Sequence, residues 1–157
     1  MDRIEQRGPA GDPGTAFQRS LGLRWRLPPG DRPGLCVELD MRPELCGPAG
    51  SLEGGVVSTL VDVAGASACA VALGTGLVAT EHLSVSMLAP GKVGPITATA
   101  EVIRQGRRDA VADVRVVDRG RDDRLVAAAL VTVRVLEPRL PAAHGAAGPV
   151  SSGAGPR

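Results

Sequence analysis

One acidic side chain stands alone in an apolar stretch. From Gly54 to Ala79 the single formal charge is Asp62, and the residues around it are mostly Ala, Gly, Ser, Thr and Val. An unpaired carboxylate in such surroundings costs several kcal/mol or is forced neutral, so it needs a hydrogen-bonding partner or a task. Two readings stay open. Asp62 could be structural, bonded to Ser58, Thr59 or a loop amide, or it could be a general base or nucleophile in a pocket, where one apolar and one reactive side tune a carboxylate. Just upstream lies Glu53-Gly54-Gly55. Paired glycines let a ligand approach the backbone closely, and first-turn amides, which have no intrahelical partner, suit a developing oxyanion.

These residues need a helix beneath them. Val57, Leu60, Val61, Ala64, Ala68 and Val71 recur at intervals of three and four, so 54–73 is predicted as one long helix, capped by Ser51 and stopped by Gly74 and Gly76. Small residues around most of its circumference suggest that it is enclosed on several sides. Its length would suffice for a membrane span, but an Asp well inside one costs about 2.5–3.5 kcal/mol on insertion scales, and the strands that follow need a core. It reads as a buried helix, with no membrane partner. Asp62 lies eight residues beyond Gly54, about 12 Å of helical rise. The two cannot reach one carbonyl within one chain, but could if two chains paired with their helices antiparallel.

Alternation with period two marks the strands. Leu21, Leu23, Trp25 and Leu27 form one such set, and Leu35, Val37 and Leu39 another. After the helix come Leu83, Val85 and Met87, then Ile96, Ala98, Ala100 and Val102, then 110–118, and finally 125–136. With a short helix near 14–20, the order is helix, two strands, long helix, four strands. It predicts an α+β fold in which an antiparallel sheet wraps around one long central helix. Residues 1–14 and 138–157 are rich in Pro, Gly, Ala and Ser and read as disordered tails around a single 15–137 domain, with His144 in the second tail.

Composition removes several partners. Eighteen basic against seventeen acidic residues, and Phe17 and Trp25 as the sole aromatics, leave neither the field nor the stacking platforms that nucleic-acid binding uses. Cys36, Cys46 and Cys69 form no zinc-type spacing with His82 and His144, so no metal is expected. Cys69 reads as a small buried hydrophobe. Free thiols and an N-terminus without an apolar signal segment point to the cytoplasm.

Three segments, taken in order, resemble the hotdog-fold acyl-CoA thioesterase superfamily, and within it the phenylacetate-pathway (PaaI-type) group. They are E-G-G-V-V-S-T-L-V-D-V-A at 53–64, T-E-H-L-S-V-S-M-L-A-P at 80–90 and R-Q-G-R-R at 104–108. The resemblance covers about residues 34–136. It implies a hotdog fold and a thioester hydrolase whose site lies between the subunits of a homodimer. Asp62 would be the catalytic carboxylate, activating water or attacking the thioester. Gly54, with Gly55, would hold the thioester oxygen from the partner subunit. The segment His82, Leu83, Ser84 would run beside the pantetheine arm, and Arg107 or Arg108 would meet the CoA phosphates, unless they form a plain solvated turn. No cofactor is implied, CoA entering as part of the substrate.

The chain departs from that family at Glu53, where a His is usual, at Gly47 in place of Asn or Gln, and at Ala66, one helical turn after the carboxylate. A charged Glu53 would oppose an oxyanion unless protonated, turned away or paired with Arg42. Glu53 favours one alternative to hydrolysis, a binding module that holds an acyl thioester without turnover; a second is a 3-hydroxyacyl thioester dehydratase, whose chemistry calls for a catalytic His where this chain has none at the helix start. Val111, Val117 and Leu130 on a possible outer sheet face suggest that dimers pair into a tetramer.

Overall fold

In the computed structural model, described for residues 14–26 and 34–137, the predicted order holds. Helix α1 (Ala16–Leu21) precedes β1 (Arg24–Arg26) and β2 (Leu35–Leu39); helix α2 (Gly54–Leu73) follows, and then β3 (Val78–Met87), β4 (Ile96–Gln105), β5 (Asp109–Asp118) and β6 (Arg124–Val135). The six strands form one antiparallel sheet in the order β1-β2-β4-β5-β6-β3. The long helix packs on one face of it, which is the hotdog architecture. Residues 1–13 and 138–157, His144 among them, and Leu27 lie outside the described residues.

The core is built from small side chains. Ala98, Ala100, Ala110, Ala112, Val114, Val116, Val131 and Val133 present a fully buried sheet face. Against it α2 sets Leu60, Val61, Ala64 and Cys69, all without exposure. Each buried Leu or Val contributes about 1.5–3 kcal/mol over its exposed state. Contact is closest at Gly65, where an added Cβ would stand 2.6 Å from the Val131 side chain. The helix therefore needs a glycine there to lie down on β6.

Four expectations need correction. Leu21 belongs to α1 rather than to the first strand, because Thr15 and Gln18 form a reciprocal capping box that draws the helix through it, and Gly22 ends it in the left-handed conformation. Ser51 does not cap α2. Backbone bonds from Leu52 N to Gly91 O and Glu53 N to Leu45 O hold the chain extended to Glu53, which is the N-cap and makes no side-chain cap bond. Arg42 does not pair with Glu53; it donates to the Ser20 and Leu21 carbonyls and lies 3.7 Å from Glu44. Finally, α2 is covered by the sheet on one side only. Within the single chain Gly55 is exposed, and Thr59, Asp62, Ala66 and Leu73 along the same flank are half-buried. The helix is long and apolar enough to cross a membrane, yet its apolar face is spent on this sheet.

Candidate active site

Asp62 sits two turns into α2 on the flank toward β3. Its Oδ1 accepts a hydrogen bond from Thr80 Oγ1 at 2.6 Å. Neither Ser58 nor Thr59 serves it, because their hydroxyls turn back along the helix to the carbonyls of Gly54 and Gly55, each at 2.9 Å. Asp62 is half-buried, and among the described residues no second hydrogen bond reaches its carboxylate.

Thr80 reaches Asp62 because β3 contains a bulge. Residues paired across an antiparallel ladder share a face. Leu83, Val85 and Met87 pair with Val131, Ala129 and Ala127, placing them on the helix side, while His82 and Ser84 pair with Thr132 and Leu130 on the outer side. The register shifts between Thr80 and His82, so Thr80 pairs with the fully buried Val133 and rejoins the helix side. Of the three residues expected beside a pantetheine arm, Leu83 faces α2, whereas His82 and Ser84 face away.

At the other end of the site, α2 begins in the open. Val56 N and Val57 N are satisfied by Glu53 O, but among the described residues the Gly54 and Gly55 amides have no acceptor. Neither glycine has a positive φ. A Cβ on Gly54 would meet nothing nearer than Met87 Cε at 3.9 Å, and one on Gly55 would meet open space. Nothing in the chain's own fold asks for glycine at either position. A cleft of about 390 Å³ reaches Gly54, walled by Leu52, Val57, Met87, Leu88 and Val126, with no charged residue in its lining. Asp62 is not part of that cleft, and Glu53 stands exposed at its margin beside Gly54.

Arg107 and Arg108 occupy the exposed β4–β5 turn at the far end of α2, where Gln105 Nε2 donates to Ala72 O at 2.9 Å. Arg108 already pairs with Glu137 at 2.5 Å. The structure thus strings the expected residues along one helix: Gly54 and Gly55 at its start, Asp62 with Thr80 in its first half, the two arginines past its end. Two of the three thiols are buried in the core. Burial pushes Cys36 up and raises Cys69 to about 11. The sequence carries no local signal that brings Thr80 to Asp62; the contact follows from the register shift in the pairing of β3 with β6.

A family model of the Thioesterase superfamily matches residues 49–125. Among solved structures, a thioesterase-superfamily protein from Bordetella bronchiseptica is 33% identical, with a TM-score of 0.68 over 78% of this chain and 90% of that one. A Bacillus halodurans protein solved with CoA is similar at 23% identity, TM-score 0.71, covering 80% of this chain and 82% of that one. The Escherichia coli PaaI protein from the phenylacetic acid degradation operon is 23% identical, TM-score 0.64, with 78% and 86% covered. At those identities the last two share the fold. No curated protein matches the chain.

Proposed function

The chain belongs to the thioesterase superfamily, and from that premise we propose that it hydrolyses acyl-CoA or acyl-carrier-protein thioesters to a free acid and a thiol. The observation that carries this reading is the pair of glycines at the start of α2. Their amides are open, their side of the helix is open, and the chain's own packing does not require them. Two N–H groups at the positive end of a helix macrodipole can hold the oxygen of a thioester carbonyl as it takes on negative charge.

The carboxylate that completes the reaction comes from a second copy. Asp62 and Gly54 of one chain are separated by about 12 Å of helical rise. Antiparallel pairing of two α2 helices along the Gly55–Thr59–Asp62–Ala66 flank brings the acid of one subunit to the amides of the other. The ten-residue edge strand β3 supports such a dimer, since no residue in it is buried and its outer ladder groups await a partner. In the complete site Asp62 takes a proton from water as the water attacks the carbonyl carbon, or attacks that carbon itself and is released by water. The C–S bond breaks, the thiolate leaves and is protonated, and the acid is freed. Water or Asp62 is the nucleophile on either route, so the mechanism calls for no cofactor. Leu130 on the outer sheet face, 43% exposed, is the surface through which dimers would pair into a tetramer. Free thiols agree with a cytoplasmic setting.

A second reading, a dimer that holds acyl thioesters without cleaving them, is favoured by Glu53, whose carboxylate is exposed at the helix start where an oxyanion would form. One assay separates the two. Purified protein is offered short, medium and aromatic acyl-CoAs while free thiol is followed, beside Asp62→Ala, Asp62→Asn and Glu53→His. Thiol release that both Asp62 variants abolish supports hydrolysis. Thioester binding without release, converted to release by Glu53→His, supports the binding module and overturns the first reading.

A further inference from the structure

We propose that the cleft beside Gly54 receives the acyl group and selects an unsubstituted hydrocarbon chain of medium length, with Met87 tuning the preference. The inference rests on the hydrolytic reading above for the thioester's place at the glycine amides, and adds to it the class of acid released. A thioester held at Gly54 has two arms. One is pantetheine, whose amides need hydrogen-bonding partners and whose far end carries phosphates; the other is the acyl group. The cleft that opens at Gly54 offers the first arm little. Its walls are Leu52, Val57, Met87, Leu88 and Val126, no charged residue lines it, and Ser51 supplies its sole side-chain hydroxyl.

The backbone of those walls is committed as well. Leu52 N donates to Gly91 O at 2.8 Å, and Leu88 N and Ala89 N both donate to Val126 O, at 2.8 and 3.1 Å. Pro90 O accepts from Arg121 Nη1 at 3.3 Å. A hydroxyl or carboxylate at the end of the acyl group would give up water there with only Ser51 to replace it, and that desolvation selects against it. A methylene loses no hydrogen bond and gains burial. Volume sets the length. At about 30 Å³ per water-sized group, a cleft of about 390 Å³ holds up to about a dozen carbons, so an acetyl group leaves most of it empty. Met87 lies on the helix side of β3, half-exposed, and its Cε is the nearest atom to an added Cβ on Gly54, at 3.9 Å. Its unbranched thioether adapts to the chain laid against it.

The test uses the full chain and two ligand series: straight-chain acyl-CoAs from acetyl to palmitoyl, and the matching S-alkyl-CoA thioethers, which cannot be hydrolysed. Beside them stand ω-hydroxyoctanoyl-CoA and an aromatic acyl-CoA. From butyryl to decanoyl, kcat/KM should rise about two- to fourfold per methylene and then level. The terminal hydroxyl should lower it at least about tenfold against octanoyl. Met87→Gln keeps the side chain's length and adds an amide, and should lower the octanoyl-to-butyryl ratio at least about threefold. Hydrolysis that ignores chain length, or that prefers the hydroxylated or the aromatic group to octanoyl, overturns the acyl-chain assignment and leaves hydrolysis standing. An unchanged ratio in Met87→Gln overturns the role of Met87. A parent that cleaves no thioester yet binds the thioethers more tightly with each methylene, read by titration calorimetry, overturns hydrolysis and supports the assignment. Thioether binding that does not depend on alkyl length overturns the assignment.

Discussion

Oδ1 of Asp118 accepts the Gly94 backbone N–H at 2.8 Å, and its other oxygen accepts those of Lys92 and Val93 at 2.8 and 3.0 Å. The carboxylate, at the end of β5, is fully buried. It replaces the ladder that the β3–β4 loop lacks, and that loop matters because Gly91 O in turn accepts Leu52 N at the entry to α2. A chain of bonds therefore runs from a core acid to the residue before Glu53. Burial pushes the Asp118 carboxyl up, but the amides of Lys92, Val93, Gly94 and Gly120 outweigh it and hold the group below the usual carboxylate range.

Asp118→Asn should consequently destabilise the fold by about 1–3 kcal/mol at pH 7, because an amide nitrogen would confront N–H donors and leave at least one without an acceptor. The sign of the pH effect follows from the lowered folded value. The stabilisation is present in full above the unfolded carboxyl range near 3.9 and is lost as the pH falls through the folded value. Urea unfolding at pH 7 and again near pH 3 should show the parent losing stability faster than the variant, so that the gap between them narrows.

At the contact of α2 with β6, Gly65→Ala would gain about 1 kcal/mol of helix propensity but place a methyl 2.6 Å from Val131 Cβ and Cγ2. Overpacking of this kind costs about 1–3 kcal/mol, so a net fall in thermal midpoint is expected. Val131→Ala removes the γ carbons at its own core cost, so Gly65→Ala should lower the midpoint less in a Val131→Ala background than in the parent. The pair of variants, measured by circular dichroism, distinguishes steric exclusion from any special backbone need of the glycine.

The span and C-terminal end of α2 and the strands β2 to β6 were legible because each carries a strong local signal. Three-and-four spacing runs from Val57 to Val71, Gly74 takes the left-handed conformation at the stop, and the strands alternate. What was not legible depends on contacts far apart in the chain. The N-cap moved from Ser51 to Glu53 because Leu45 and Gly91 hold the backbone up to that point. The bulge at Glu81 escaped notice because alternation from His82 to Met87 is unbroken, and only the pairing with Val133 and Thr132 reveals that Thr80 has changed face. Of the site, Asp62 and the glycines stood out by type; their relation through a second chain is geometry, argued from helical rise.

The arginine turn gives a prediction about the nucleotide end of the substrate. From Asp62 to Ala72 is about 15 Å along the helix, a span that an extended pantetheine arm covers. If Arg107 and Arg108 meet the phosphates there, Arg107→Ala should raise KM for acyl-CoA about fivefold and leave KM for the matching acyl-pantetheine unchanged. Arg108→Ala should act more weakly, since Arg108 is engaged by Glu137. The parental KM for acyl-CoA should climb with ionic strength, and the Arg107→Ala value should climb less.

Gly54 offers the sharpest separation of fold from function. It opens α2 at a non-positive φ, and the nearest atom to an added Cβ is Met87 Cε at 3.9 Å, an ordinary contact. Gly54→Ala should therefore fold, with a thermal midpoint equal to or slightly above the parent's, since alanine loses less entropy on entering a helix. The same methyl would stand beside the open amides, where a carbonyl oxygen must approach to hydrogen-bond distance. Loss of one oxyanion donor costs about a hundredfold or more in kcat in hydrolases that depend on it. Hydrolysis should fall at least about tenfold while stability holds, read by thiol release and thermal denaturation on the same preparation. A variant that turns over at the parental rate would place the thioester oxygen elsewhere, and the glycine pair would lose its claim to the chemistry.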